Sequence, residues 1–261
     1  MRLTVFASGS SGNCLLLSGG RTNILIDAGI STRRIASMLG ECCLTLQDIG
    51  GVLITHEHSD HISGLKTLVK RTSCPVYAPR TVASRLRGML PELDERLEVI
   101  PVGEDFSIAG LTVRAFHTPH DTPESVGYRV SCEGVFAIAT DMGCVTDEVR
   151  ENLRGADTVL IESNHDEEML RFGPYPPMLK RRILSDHGHL SNENCATLAR
   201  ELAESGTRTI ILGHLSRQNN TPSTALRAAE AALAGTGTEI WCAPELGCLS
   251  VRVEEACSES S

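Results

Sequence analysis

The 261-residue chain is long enough for one large domain or two small ones, and its 41% hydrophobic and 22% charged residues are ordinary for a globular protein. No apolar stretch reaches the length of a membrane-spanning helix, and the net charge of −9 argues against broad electrostatic attraction to nucleic acid. The N-terminus turns polar within a few residues, unlike a signal peptide, so we expect a cytoplasmic protein without membrane contact.

The first half of the chain alternates short apolar runs with turn residues, which predicts a strand-rich region. The predicted strands are 3–7, 14–17, 23–26, 51–54, 76–78, 97–101, 111–116, 125–131 and 135–139. Helical spacing is found at 31–40, 62–72 and 79–90.

The most informative feature follows the strand predicted at 51–54. Within seven residues the chain carries His56, His58, Asp60 and His61. Imidazole and carboxylate groups suit divalent metals of the zinc or manganese type. Because His-x-His-x-Asp-His is far more restrictive than a lone histidine, it favours a metal-dependent hydrolase over a polar surface loop.

After Asp141 the order of predicted elements changes, and strands are separated by helices. We predict strand 158–162, helix 191–205, strand 208–212, helix 222–235 and strands 238–242 and 248–253. This order indicates sheets with helices packed outside. We therefore expect a single domain over residues 1–253 and a disordered polar tail at 254–261.

A rigid, proline-rich segment, 172–177, precedes the basic run 180–182. It could face the substrate or simply connect two elements. The basic residues could likewise form a phosphate track or a solvated helix face.

Two metals need more ligands than the histidine-rich loop supplies. Three candidates stand just after predicted strands, where ligands are usually found: His120, Asp141 and His214.

In this order, His56-x-His58-x-Asp60-His61, His120, Asp141 and His214 resemble the metallo-β-lactamase superfamily. The resemblance implies an α/β (α+β) fold, a four-layer αββα sandwich with two divalent metal ions at one sheet edge. It assigns one metal to His56, His58 and His120 and the second to Asp60, His61 and His214, with Asp141 bridging both. The donor set accepts zinc, manganese or iron.

Further motifs resemble the YycJ/WalJ subfamily, among them 8–13, 161–166, 180–186, 188–192 and 214–220. That resemblance implies a 5′-to-3′ DNA exonuclease with a repair-related role, using a metal-bridging hydroxide as nucleophile. The positions of Glu162 and His189 also resemble the tRNA 3′-processing branch of the superfamily, in which a histidine supported by a glutamate donates a proton. Asp60, Asp141, Glu162 and His189 are the catalytic residues that these resemblances imply.

Other functions remain open at this stage. Residues 120–128 vaguely resemble small cyclic-phosphate hydrolases, so the alternative is a phosphodiesterase acting on a small cyclic or dinucleotide substrate. A thioesterase is disfavoured because no cationic cluster marks the C-terminal region, and the intact ligand set speaks against a non-catalytic interaction module. Only 72 residues separate Asp141 from His214, which leaves no room for the β-CASP insertion of related nucleases.

The sequence does not determine which metal is native, whether the substrate is DNA or RNA, or which strand is preferred. The oligomeric state is also open, a homodimer being one option. Nor does the sequence assign roles to His117, His165 and His187.

Overall fold

A computed structural model describes residues 1–253, so the predicted tail 254–261 lies outside the described residues. The strands are β1 Arg2–Ala7, β2 Cys14–Gly19, β3 Thr22–Ile26, β4 Gly51–Leu53, β5 Val76–Pro79, β6 Leu97–Ile100, β7 Asp105–Ile108, β8 Leu111–His117, β9 Val126–Ser131, β10 Val135–Ala139, β11 Thr158–Glu162, β12 Thr209–Gly213, β13 Glu239–Cys242 and β14 Leu249–Arg252. The α-helices are α1 Thr32–Glu41, α2 Ser59–Ile62, α3 Leu65–Arg71, α4 Arg80–Met89, α5 Asp147–Leu153, α6 Glu167–Phe172, α7 Pro177–Ile183, α8 Asn192–Glu204 and α9 Pro222–Leu233. Short 3₁₀ helices occupy Leu46–Asp48 and Pro91–Arg96.

The strands form two seven-stranded sheets. The first has the order β14-β1-β2-β3-β4-β5-β6 and the second β13-β12-β11-β10-β9-β8-β7. In each sheet one part is antiparallel and the other parallel: β3 to β6 run parallel in the first, and β10 to β13 in the second.

Three hydrophobic cores separate four layers. Strand β2 shows how alternation builds them: Leu15 and Leu17 join the core between the two sheets, whereas Leu16 joins the core beneath α1, α3 and α4. The third core packs the second sheet against α5, α8 and α9, with Val159 and Leu198 among its members. The layer order is helix, sheet, sheet, helix, which confirms the predicted αββα sandwich.

The predicted strands are present, with small shifts at their ends, and β7 was not predicted. The helix expected over 62–72 is divided into α2 and α3, and α2 begins inside the histidine-rich loop. Helices α5, α6 and α7 were also missed. Among residues 1–253, no helix combines the length and apolar character that crossing a bilayer requires.

The topology brings the polar loops to one edge. Strands β3, β4, β10, β11 and β12 all belong to the parallel parts of the two sheets, so their carboxyl ends point the same way within each sheet. Tyr128 of β9 links the sheets at this end, because its hydroxyl donates a hydrogen bond to the Ile54 carbonyl at 2.6 Å.

Candidate metal centre

The first predicted ligand set forms a triangle of imidazoles. The rings of His56 and His58 follow β4, and His120 follows β8. Ring centroids lie 4.7 Å apart for His56 and His58, and 5.1 Å apart from each of these to His120. One nitrogen of each ring lies within 4.8 Å of the other two, a spacing that a single metal ion could span.

The second predicted set lies beside the first. Asp60 and His61 are on α2 and His214 directly follows β12. Their ligand atoms also fall within 4.8 Å of one another, and the rings of His61 and His214 stack at 5.9 Å. The structure therefore brings together residues that are more than 150 positions apart in sequence.

Asp141 lies between the two sets. Its Oδ1 is 3.4 Å from His214 Nε2 and 3.7 Å from His120 Nε2, and its Oδ2 is 3.3 Å from His61 Nε2. Burial opposes the charged carboxylate, but the imidazoles of His214 and His61 outweigh burial and hold the pKa of Asp141 well below its usual value. Asp141 is thus a buried anion in contact with both groups of histidines.

Backbone geometry turns three site residues inward at strand ends. Asp27, Asp141 and His214 have φ of 61°, 56° and 54°, in the left-handed region that residues with a Cβ seldom adopt. They follow β3, β10 and β12, so each of these strands is followed by a residue with a left-handed backbone. Such strain persists where the surrounding structure compensates for it, and it is concentrated here around one centre.

Two buried atoms at this centre test whether a cation fits. His56 Nε2 has no hydrogen-bond partner among the described residues, and Asp141 Oδ2 has only the contact with His61 Nε2 at 3.3 Å, which lacks hydrogen-bond geometry. A buried imidazole nitrogen and carboxylate oxygen without partners are costly, whereas a divalent cation would satisfy both. The donor set of imidazole and carboxylate also suits zinc, manganese or iron. The residues present therefore fit a divalent metal centre.

In several of these rings Nδ1, the nitrogen that faces away from the centre, makes a hydrogen bond. His61 Nδ1 contacts Asp27 Oδ2 at 2.7 Å, and His120 Nδ1 contacts the Gly188 carbonyl at 3.3 Å. His214 Nδ1 lies 3.3 Å from Asn13 Oδ1. These contacts leave Nε2 directed at the centre, and such outer partners orient the rings of metal ligands.

Asp27 and Asn13 are site residues that sequence reasoning missed. Asp27 accepts hydrogen bonds from the backbone N–H of Thr55 at 2.9 Å and from the Thr55 hydroxyl, and it contacts His61. Asn13 bonds through its amide to Gly9 and approaches both His61 and His214. A signal was available for Asp27, because it directly ends an apolar strand just as His214 does.

Glu162 and His189 form a buried pair next to Asp141. Glu162 Oε1 accepts from His189 Nδ1 at 2.7 Å, and its Oε2 accepts from the backbone N–H of Met142 at 2.8 Å. Burial opposes the charged imidazole, but the Glu162 carboxylate outweighs burial and raises the pKa of His189 to about 9. His189 Nδ1 is also 3.9 Å from Asp141 Oδ1. The pair can therefore hold a proton beside the centre.

The remaining histidines lie outside these groups. His117 is half exposed and contacts Glu148, and His187 is exposed. His165 is buried, neither of its ring nitrogens bonds to a residue that the structure describes, and burial lowers its pKa. Its neighbour Asp166 caps α6 by accepting from the Met169 N–H at 2.9 Å, which is a structural role.

A cavity of about 170 Å³ opens beside the centre. Its lining includes His120 and His189 of the site together with Tyr175, Leu179, Arg182 and Ile183. Polar groups of Ser10, Asn164 and Ser216 complete the lining. A small polar group of a substrate could reach the histidines through this opening.

Known proteins are similar to this chain in sequence and in fold. Residues 22–215 match the family described as a β-lactamase superfamily domain. The chain is 36% identical to the exodeoxyribonuclease YycJ of Bacillus anthracis, over 84% of each chain. It is 37% identical to the exodeoxyribonuclease WalJ of Streptococcus pneumoniae D39, over 84% of this chain and 83% of that protein. The metallo-β-lactamase fold protein YhfI from Bacillus subtilis shares the fold, with a TM-score of 0.73 at 15% identity, over 96% of this chain and 99% of that one.

Proposed function

Because the chain belongs to the β-lactamase superfamily and is a metal-dependent hydrolase, we propose that it hydrolyses phosphodiester bonds of DNA as a 5′-to-3′ exonuclease. The observation that carries this proposal is the pair of His/Asp groups that meet at the buried carboxylate of Asp141. Its relatives named exodeoxyribonucleases, matched over most of both chains, support a polynucleotide substrate. A repair-related role is part of the same proposal.

We assign His56, His58 and His120 to one metal, Asp60, His61 and His214 to a second, and Asp141 to both. Divalent ions bound there would supply positive charge that polarises a phosphodiester and lowers the pKa of a water molecule. Asp60 and Asp141 add negative charge to a site otherwise built from imidazoles, which offsets part of the charge of the two cations.

His189 is the group placed to protonate the leaving oxygen. Glu162 accepts a hydrogen bond from the Nδ1–H of His189, so the other N–H of the charged ring is at Nε2. A pKa of about 9 keeps the ring charged at neutral pH, and the ring lines the cavity beside the centre. Glu162 acts through His189 and is therefore a positioning residue.

The decisive experiment digests DNA labelled at one end. Protein loaded with zinc or manganese is incubated with single- and double-stranded DNA carrying a label at either the 5′ or the 3′ end. A 5′-to-3′ exonuclease releases a 5′ label as a small product at once, whereas a 3′ label remains for a time on long fragments. Early release of the 3′ label would contradict the proposed polarity, and internal fragments would indicate an endonuclease.

The small cavity is also compatible with a second function, that of a phosphodiesterase for cyclic or dinucleotide substrates. A cavity of about 170 Å³ could take the phosphate group of a small substrate as well as that of a long strand. The two functions separate in a competition assay. Rapid hydrolysis of a dinucleotide combined with failure to shorten any longer strand would favour the small-substrate enzyme.

A further inference from the structure

Exposed apolar side chains are concentrated next to the cavity. Phe172 and Met178 are 85% and 81% exposed, more than any other large hydrophobic residue in the described part of the chain. Leu184, at 48%, lies on the same segment, which comprises α6, α7 and the residue after α7 (167–184). We call it the α6–α7 segment. Side chains as exposed as Phe172 and Met178 are free to contact a ligand that approaches the cavity.

Helix α7 connects this surface to the candidate active site. Leu179, Arg182 and Ile183, three and four residues apart, line the cavity and so define one helix face. Met178 and Arg181 are three apart and lie on the neighbouring, exposed face. A polymer that extends from the cavity across α7 could therefore contact these two side chains.

The segment is held rigidly. Lys180 Nζ donates to the carbonyls of Arg171 and Gly173, both at 2.8 Å, and so ties α7 to the end of α6. Gly173 is packed so closely that an added Cβ would lie 2.5 Å from the Met169 carbonyl oxygen. Prolines at 174, 176 and 177 restrict the connection further. Rigid presentation lowers the entropy lost on binding.

The α6–α7 segment is more basic than the chain as a whole. Residues 167–184 contain Arg171, Lys180, Arg181 and Arg182 against two acidic residues, Glu167 and Glu168, in a chain of net charge −9. Arg182 pairs with Asp121 at the cavity, and Arg171 pairs with Glu167. Arg181 is exposed and makes no ion pair with any described residue. A polyanion is therefore the complementary partner.

We propose that the α6–α7 segment is a base-stacking platform that holds single-stranded polynucleotide beside the metal centre. Bases that leave the cavity would lie on Met178 and Phe172, while Arg181 contacts the backbone phosphates. Stacked aromatic and apolar faces with interspersed cations are how proteins bind single strands without reading sequence. A duplex buries its base faces and could not use the platform. The inference rests on the proposed nuclease function and specifies its substrate as an unpaired strand.

The test compares two triple variants. Phe172→Ala/Met178→Ala/Arg181→Ala removes the platform. Met89→Ala/Trp241→Ala/Arg154→Ala removes an exposed methionine, aromatic residue and arginine elsewhere, with Met89 53% and Trp241 44% exposed. Each is assayed on single-stranded oligothymidylate and on bis-p-nitrophenyl phosphate, which is too small to reach the platform. We expect the ratio of the two kcat/KM values to fall at least about fivefold in the platform variant, the effect of losing one stacked base. The ratio should stay unchanged in the control.

Salt dependence provides a second readout. Arg181→Ala alone should reduce the slope of log affinity for oligothymidylate against log salt by about 0.7, the contribution of one phosphate contact on a single strand. Unchanged ratios and slopes, in a protein that does degrade oligothymidylate, would overturn the platform and leave the nuclease standing. Hydrolysis of the small phosphodiester without degradation of any polynucleotide would instead overturn the proposed function.

Discussion

At the scale of single residues, two histidines of one motif should differ sharply in effect. His189 contacts Glu162 at 2.7 Å, whereas His187, two positions earlier, is exposed. Replacing His189 with alanine removes the proposed proton donor, so turnover should fall roughly a hundredfold or more. Metal content should be retained, because His189 is not assigned as a ligand. Elemental analysis and kcat on a DNA substrate measure the two quantities.

His187→Ala is the matched control and should keep the wild-type turnover. Equal kcat values for the two variants would remove His189 from the proposed mechanism. Loss of metal from His189→Ala would instead mean that the ring is a ligand, as its position within 4.8 Å of donor atoms of Asp141 and His214 allows.

The residues proposed as ligands stand out in the sequence, and the structure brings them together, whereas most of their hydrogen-bond partners do not stand out. His56, His58, Asp60 and His61 form a contiguous pattern that no helix or strand period explains. Asp27 contacts His61 at Nδ1 and Asn13 contacts His214 at Nδ1, and neither residue belongs to a metal-ligand pattern in the sequence. Their roles depend on which loops meet in space, and that is decided by the packing of the two sheets.

At the scale of elements, the loops around the centre are packed backbone to backbone. The Asn13 N–H donates to the Asp60 carbonyl at 2.7 Å, and the Gly29 N–H donates to the Asn13 carbonyl at 2.8 Å. An added Cβ on Gly29 would lie 1.6 Å from the Asp60 carbonyl oxygen, where no side chain fits. Helix α2, which carries two proposed ligands, is positioned by this contact.

Gly29→Ala should therefore lower the free energy of unfolding by more than about 3 kcal/mol, because the clash involves backbone that cannot move independently. Gly88, near the end of α4, has nothing within 4 Å of an added Cβ. Gly88→Ala should be neutral or stabilise by up to about 1 kcal/mol, through helix propensity. Urea unfolding of both variants provides the comparison. A Gly29→Ala protein as stable as wild type would show that the three loops are not tightly packed.

Short helices explain most of what the sequence failed to predict about the fold. Helix α6 buries only Leu170 and α7 buries only Ile183, so neither produces a periodic apolar pattern. In contrast, α8 buries six residues and was predicted within about one residue at each end. The periodicity of a helix reveals its buried face, and elements that mainly present side chains to water remain undetected.

At the scale of the whole molecule, the proposed metals would link the two sheets. His56 follows a strand of the first sheet, whereas Asp141 and His214 follow strands of the second. Ligands in thousandfold excess over their dissociation constant stabilise a folded protein by about 4 kcal/mol. For a domain of this size, a chelator should therefore lower Tm by roughly 10 °C.

Unfolding should also remain a single transition, because we propose that residues 1–253 form one domain. Far-UV circular dichroism and the fluorescence of Trp241, the only tryptophan, should report the same midpoint. Asp141→Ala, which lacks the shared ligand, should have a Tm that barely responds to the chelator. Two separated transitions would refute the single domain, and a Tm insensitive to chelator in the wild type would refute metal-linked sheets.

The pairing of β1 with β14 sets the order in which the protein can be completed. Arg2 lies opposite Arg252, and the amino group of Met1 bonds to the carbonyl of Val253 at 3.2 Å. Among the described strands β14 is the last to be synthesised, so one edge of β1 keeps unpaired backbone groups until the other described strands have been made. Closure of the first sheet is therefore a late step of folding, and until it occurs the edge of β1 is open to pairing with another chain.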